Sequence, residues 1–192
     1  MEERQPVWDA TQTRILDAAD GLLERRGVRG VTVAELARRS ELSRPTIYRN
    51  WADADDVVRS ALLRRVEHIL SAIPAQVHTR TALVDDILLF SGRFRDDPVF
   101  ARLLADEPEA FTRYTLERVG SSQHSILRWL TTAIDTVQTH DSIRVAPPSE
   151  IAVMLLLVTQ SAVLSHGTVS ELISDDAWER ELRAALDGLL RP

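Results

Sequence analysis

Arg44, Thr46, Tyr48 and Arg49 fall within six consecutive positions, with Ser43 just before them and Pro45 among them. At 100° per residue, Arg44 and Tyr48 share one helix edge and Pro45 and Arg49 the next, while Ile47 and Trp51 turn inward toward Leu42. The outer face then carries two guanidinium groups, a phenol, the Thr46 hydroxyl and a proline ring. The chemistry open to that set is recognition of nucleic acid. An arginine fork can grip guanine O6 and N7 with two hydrogen bonds. Hydroxyls and the free amides of helix starts can hold phosphate oxygens. From Arg38 to Arg49 four arginines meet only Glu41, a local balance of +3.

Short helices must position these groups. Thr32 with Glu35 fits a capping box that opens a helix through Ser40, with Val33, Leu36 and Ala37 facing inward. Glu41-Leu42-Ser43 reads as a tight turn, and Ser43 caps the next helix, which tolerates Pro45 in its first turn. Two helices joined this way form the unit that places the second one in the DNA major groove. Thr32 and Ser43 read as caps first, with phosphate contact a second use of the same groups. Arg38 and Arg39 read as solvated charges and Trp51 as a packing residue. Upstream, Ile15, Ala18, Ala19, Leu22 and Leu23 form the stripe of a helix from about Thr11 to Arg26, stopped by Gly27. Downstream, Asp53 caps a fourth helix whose stripe is Val57, Val58, Ala61, Leu62, Val66 and Ile69, stopped by Pro74.

The rest is also helical in period, with no alternating strand. Helices are expected at about 80–94, 98–105, 108–140 with a bend at Gly120-Ser121-Ser122, 149–166 and 175–190. The fold class is therefore all-α: a three-helix head, residues 1–53, on a larger helical body, residues 54–192, about nine helices in total. The segment Ile151–Leu164 is apolar almost all round, so nearly every side needs cover. Trp178, Leu182, Ala185, Leu186 and Leu189 line the final helix. Two such helices packed on their symmetry mates would form a four-helix bundle with a two-fold axis. Ile151, Leu155, Val158, Ala162, His166, Trp178, Leu182, Leu186 and Leu189 are the expected homodimer contacts.

Gly30, Thr32, Ala34, Ala37, Ser43, Tyr48 and Trp51, between the helices Ile15–Gly27 and Asp53–Leu62, resemble the head of the tetracycline-repressor (TetR) family of bacterial regulators. About 55 residues carry the match; the body is similar in length and helix content only. The resemblance implies contact with double-stranded DNA through Thr32, Ser43, Arg44, Pro45, Thr46, Tyr48 and Arg49. It also implies a homodimer on a palindromic operator and a small-molecule effector pocket in the body. Phe90, Phe94, Phe100, Phe111, Tyr114 and Trp129 are the expected walls, with Gln123, His124, Gln160 and His166 as polar candidates. Two positions depart from the family pattern. Asn50 replaces a usual His, and Ala54-Asp55-Asp56 replaces a start with a phosphate-binding Lys. The second change removes one backbone contact and adds repulsion, which shifts the expected affinity onto Arg44 and Arg49.

Composition narrows the alternatives. The 192 residues include no cysteine and no lysine, and all 23 basic residues are arginine. Disulfides, thiolate metal sites, P-loops and Schiff-base lysines are excluded. The five histidines show no four-residue pair, so no metal is expected, and no cofactor. Asp106-Glu107-Pro108-Glu109 reads as a solvated helix junction. No nucleophile elbow, zinc helix or glycine-rich phosphate loop points to an enzyme. Net charge is −6, yet residues 1–66 hold 12 arginines against 11 acids and residues 67–192 hold 11 against 18. That asymmetry suits binding at one defined place. An acidic start without an apolar core, and an apolar run shorter than the roughly 18 residues of a span, imply a cytoplasmic protein without membrane contact. The reading is a dimeric repressor released from its operator by an effector. A constitutive or corepressed regulator, its body mainly a dimer scaffold, is the alternative.

Overall fold

The computed structural model describes residues 8–74, 77–116, 119–140 and 143–192. Ten α-helices order them: α1 (Ala10–Arg26), α2 (Val33–Ser40), α3 (Arg44–Asn50), α4 (Ala54–Ser71), α5 (Arg80–Asp96), α6 (Pro98–Asp106), α7 (Pro108–Leu116), α8 (Ser121–His140), α9 (Pro148–Val169) and α10 (Asp175–Leu190). A 3₁₀ turn, Val28–Gly30, joins α1 to α2, and no strand occurs among the described residues.

Local chemistry sets most starts. Thr32, Ser43, Asp53, Thr79, Asp97 and Ser174 each accept a hydrogen bond from an amide of the first turn they cap. Such a cap is worth about 1 kcal/mol. The expected Thr32–Glu35 box is only half formed. Thr32 Oγ1 accepts from the Glu35 amide at 3.2 Å, while the Glu35 carboxylate turns to Arg38 and Arg26. The full box belongs to α1, where Asp9 and Gln12 each answer the other's amide, at 2.8 and 2.9 Å.

One expected long helix, 108–140, is two. Residues 117 and 118 lie outside the described residues, and the Gln123 side chain joins the two sides. Its Oε1 accepts from the Gly120 amide at 2.9 Å and its Nε2 donates to the Thr115 carbonyl at 2.7 Å. One side chain thus satisfies backbone groups that an unbroken helix would have satisfied itself.

The helices share one continuous apolar cluster from Ile15 to Leu190. Within it α4 packs against α1 on one side and α5 and α8 on the other, and α9 runs along α8 with α10 beside it. Polar ties reinforce these contacts. Arg65 of α4 binds Asp20 and Glu24 of α1 and Asp97 at the start of α6. The junction at Glu107 is not the solvated one expected: Oε1 accepts from the Val28 amide at 3.0 Å, and Oε2 is buried without a partner among the described residues. α9 also extends past both expected ends. At 22 residues it is long and apolar enough to cross a membrane by length and composition, yet here it packs within a helical body.

Asp86 lies on the buried side of α5, where burial, and then neighbouring Asp85, raise its carboxyl above the ordinary value of 3.8. Such a group binds its proton more tightly folded than unfolded. It therefore subtracts stability at neutral pH, and the subtraction fades as pH falls through the folded value. Asp86→Asn is expected to raise the Tm at pH 7.5, with a gain that shrinks as melts are repeated toward pH 4. A gain that stays constant with pH would mean the charge is not the cause.

Candidate functional site

α3 is short, and its two sides differ completely. Ile47 is fully buried, Trp51 nearly so, and Leu42 is half-buried. Thr32, Ser43, Arg44, Pro45, Tyr48 and Arg49 are all exposed, Tyr48 with 57% of its surface. Thr46 is half-buried; its hydroxyl shares a 2.8 Å hydrogen bond with that of Ser43, so these two groups first hold the helix start. An aromatic ring left that open in a chain with a real core is available for contact.

The supports come from three sides. Arg14 of α1 donates to the Ser40 carbonyl at 2.7 Å, fixing the turn from behind. Glu41 in that turn adopts φ 55°, the left-handed region where glycine is usual. Trp51 stacks on Trp8, ring centroids 6.3 Å apart, and its Nε1 donates to Ser60 Oγ at 2.8 Å. The end of α3 is thereby tied to the second turn of α4. Asn50, where the family pattern has His, donates from Nδ2 to the Thr46 carbonyl at 2.9 Å and stiffens α3.

Charge around α3 is uneven. Arg38 is occupied with Glu35, and that hydrogen bond holds the Glu35 carboxyl below its ordinary value. Arg39 is different. Desolvation first, and then the nearby charges of Arg25, Arg38 and Arg26, lower its pKa. Of the acids that replace the family's basic start of α4, Asp55 is exposed, while Asp56 accepts from the Ala52 amide and pairs with Arg59.

A cavity of about 440 Å³ lies beyond α4 in the body. All six expected walls, Phe90, Phe94, Phe100, Phe111, Tyr114 and Trp129, line it, as do the polar candidates Gln123 and Gln160 but not His166. Their rings form a connected set, with Phe94 and Phe100 stacked at 3.9 Å and Phe90 on Trp129 at 6.1 Å. His124 does not line it. It is exposed, its Nδ1 2.9 Å from the Gly120 carbonyl, which also accepts from the His124 amide at 3.0 Å. The reading of the sequence missed Arg59, Leu62 and Val66 of α4, and Thr159. The one available signal was Thr159-Gln160, a polar pair interrupting an apolar helix.

Five of the nine expected dimer contacts are buried within the chain itself, and four are half-buried. Ile151, Leu155, Trp178, Leu182 and Leu186 are buried in the chain's own core, with Val158, Ala162 and Leu189 packed against it. His166 bonds Asp175 at 3.0 Å and meets the Trp178 ring edge-on, closing α9 onto α10. An all-round apolar helix does not announce which side its own chain will cover. The apolar groups left uncovered are instead Val153, Met154 and Leu157 on the opposite side of α9, with Leu172 and Ile173 beyond it.

The model of the bacterial regulatory proteins of the tetR family matches residues 15–61, the span from α1 into α4. An uncharacterized HTH-type transcriptional regulator of Mycobacterium tuberculosis is 34% identical over 180 residues, covering 94% of each chain. Among solved structures, one from Rhodococcus sp., described as a TetR-family transcriptional regulator, superposes with a TM-score of 0.64 at 20% identity, covering 94% of this chain and 99% of that one. SmeT, the repressor of the Stenotrophomonas maltophilia multidrug efflux pump SmeDEF, superposes with a TM-score of 0.56 at 18% identity, covering 94% and 89%. These similarities are to transcriptional regulators, not enzymes, and they run through the body as well as the helix-turn-helix. The chain therefore belongs to the TetR family of bacterial transcriptional regulators.

Proposed function

We propose that this regulator is a cytoplasmic homodimeric repressor that leaves a palindromic operator when a small molecule fills the body cavity. In this division of labour residues 1–53 read DNA and residues 54–192 sense ligand and dimerise. The observation that carries the ligand response is the position of the cavity against α4. Arg59, Leu62 and Val66 form part of its wall, and Ser60, next to Arg59, holds Trp51 at the end of the reading helix. A second tie runs through α6, which supplies Phe100 to the wall and is held at its start by Arg65 of α4. An occupant that shifts α4 would move both heads of a dimer. Heads must stand about 34–36 Å apart to meet successive major grooves, so a modest swing breaks the match. A coupling of roughly 1–3 kcal/mol is enough, and DNA must weaken ligand binding by the same factor. The dimer reading is supported by the uncovered apolar side of α9 at Val153, Met154 and Leu157.

The test is selection of bound sequences from random DNA, followed by binding measurements on the selected site. Dyad symmetry in that site is expected; a selected site without it would remove the dimer. Arg44→Ala and Arg49→Ala should each weaken binding by about 1–3 kcal/mol and relax preference at one position per half-site. Tyr48→Phe should weaken all sequences alike if the phenol holds phosphate. Uniform losses for all three variants would reassign both arginines to backbone positioning.

A further inference from the structure

The cavity wall has a chemical bias that narrows its occupant. Beyond the aromatic rings, the wall carries Asp55, Arg59, Ser91, Thr115, Ser121 and Ser122, together with a cluster of Gln123, Gln160 and Thr159 in which the two amides are oriented by their neighbours. Gln123, 8% exposed, has its oxygen on the Gly120 amide and its nitrogen on the Thr115 carbonyl, so its amide orientation is fixed from two sides. The same nitrogen donates to Gln160 Oε1 at 2.7 Å. That contact fixes Gln160 in turn: its oxygen is taken, and its NH₂ group is the part left for an occupant. One residue earlier on the same helix, Thr159 is 8% exposed, and its buried hydroxyl has no hydrogen-bond partner among the described residues. Buried hydroxyls are normally bonded, and a side-chain rotation at this wall residue would bring the partnerless one to a ligand atom. Among the described residues the charged groups on the wall are the Asp55 carboxylate and the Arg59 guanidinium, which pairs with Asp56 and stands 3.9 Å from Asp53.

The geometry points to a flat ring compound without negative charge and bearing one carbonyl, which accepts from the Gln160 NH₂ and the Thr159 hydroxyl while its rings lie among Phe90, Phe94, Phe100 and Trp129. This inference rests on the ligand-binding reading above and adds the class of ligand. A carboxylate in the same place would be buried against aromatic rings with no free cation among the described residues, a large penalty. A hydrocarbon would leave two donors unanswered. The volume suits a drug-sized molecule, since such pockets span about 300–1,000 Å³.

Three fluorescent probes of one skeleton test it: prodan, which carries a ketone; the matched naphthoate, with a carboxylate in place of the ketone; and the parent dimethylaminonaphthalene, with neither. Titrated into the full-length protein, prodan should bind about tenfold more tightly than the parent amine. The naphthoate should bind at least about a hundredfold more weakly than prodan. Gln160→Leu combined with Thr159→Val should remove prodan's preference over the parent amine, while the parent amine itself binds at least as tightly as before because no donor is left unanswered, which shows that the cavity is intact. The isosteric Thr159→Val alone should remove part of the preference. A naphthoate that binds as well as prodan, a ketone preference that survives the double variant, or binding of none of the three probes overturns the inference. Repeating the titration with operator DNA separates the two readings. Prodan binding with the predicted preference but no release of DNA would leave the ligand class standing and end the ligand-responsive repressor.

Discussion

Arg65→Ala is expected to lower the unfolding free energy by about 3–5 kcal/mol, read from urea denaturation of the purified protein. The side chain is only 14% exposed and lies where α4 passes between α1 and α6. Its Nε donates to Asp20 at 2.9 Å, one terminal nitrogen to Asp97 at 2.8 Å, and the other to Glu24. Arg64 also pairs with Asp20, so that carboxylate keeps a cation after the change. Asp97 and Glu24 lose theirs, and removing one member of a shielded ion cluster leaves the others desolvated without compensation. The carboxylates raise the Arg65 pKa well above its ordinary value, against the opposing effect of burial. A cation with a raised folded pKa contributes fully below its unfolded value. The Arg65 charge therefore does not titrate away at any working pH, and only substitution removes it. Arg180→Ala is the control, since its pair with Glu181 is two-thirds exposed and surface pairs contribute little. If Arg65→Ala costs no more than Arg180→Ala, solvent screens the cluster and the tie between α1 and α6 is not electrostatic.

Gly27→Ala should destabilise by about 2–4 kcal/mol, for two separable reasons. Gly27 has φ 69° and ψ −169°, a region that only glycine adopts without strain. A Cβ there would also overlap the Glu107 carboxylate, which would have to leave the Val28 amide. The two parts come apart in a double-mutant cycle. In a Glu107→Ala background the overlap is gone, and the same glycine change should cost only its strain, about 1–3 kcal/mol. Gly92→Ala provides the contrast. Gly92 is inside α5 with open space around it, so alanine there should stabilise by about 0.5–1 kcal/mol. Equal losses with and without Glu107 would show that the carboxylate moves aside freely.

The N-terminal half was legible because its signals are local. Thr32, Ser43 and Asp53 cap amides three positions away, and the sides of α3 follow from 100° per residue, so Ile47 and Trp51 go inward and Tyr48 outward wherever the helix sits. The aromatic wall was legible for a related reason: in a chain with few aromatic residues, Phe90, Phe94, Phe100 and Phe111 fall on neighbouring helices that have one interior to share. The errors were all questions of partner. Glu107 reads as a surface acid until the Val28 amide, 79 positions away, comes to it. His124 and Gln123 are adjacent, and only the break at Gly120 decides that one joins the helix ends while the other faces solvent.

The residues alone determined an all-helical chain, a capped helix-turn-helix, an outward arginine and tyrosine surface, and a family. Those properties depend on groups within a few positions of one another, and backbone geometry fixes their relation before any tertiary contact forms. Only the three-dimensional packing decided which side of α9 the chain covers for itself, that Gln123 orients Gln160, that Thr159 is left without a partner on a cavity wall, and that Arg65 joins α1 to α6. Each of those depends on two segments far apart in the chain meeting at hydrogen-bond distance, and no periodicity within either segment encodes where the other will be.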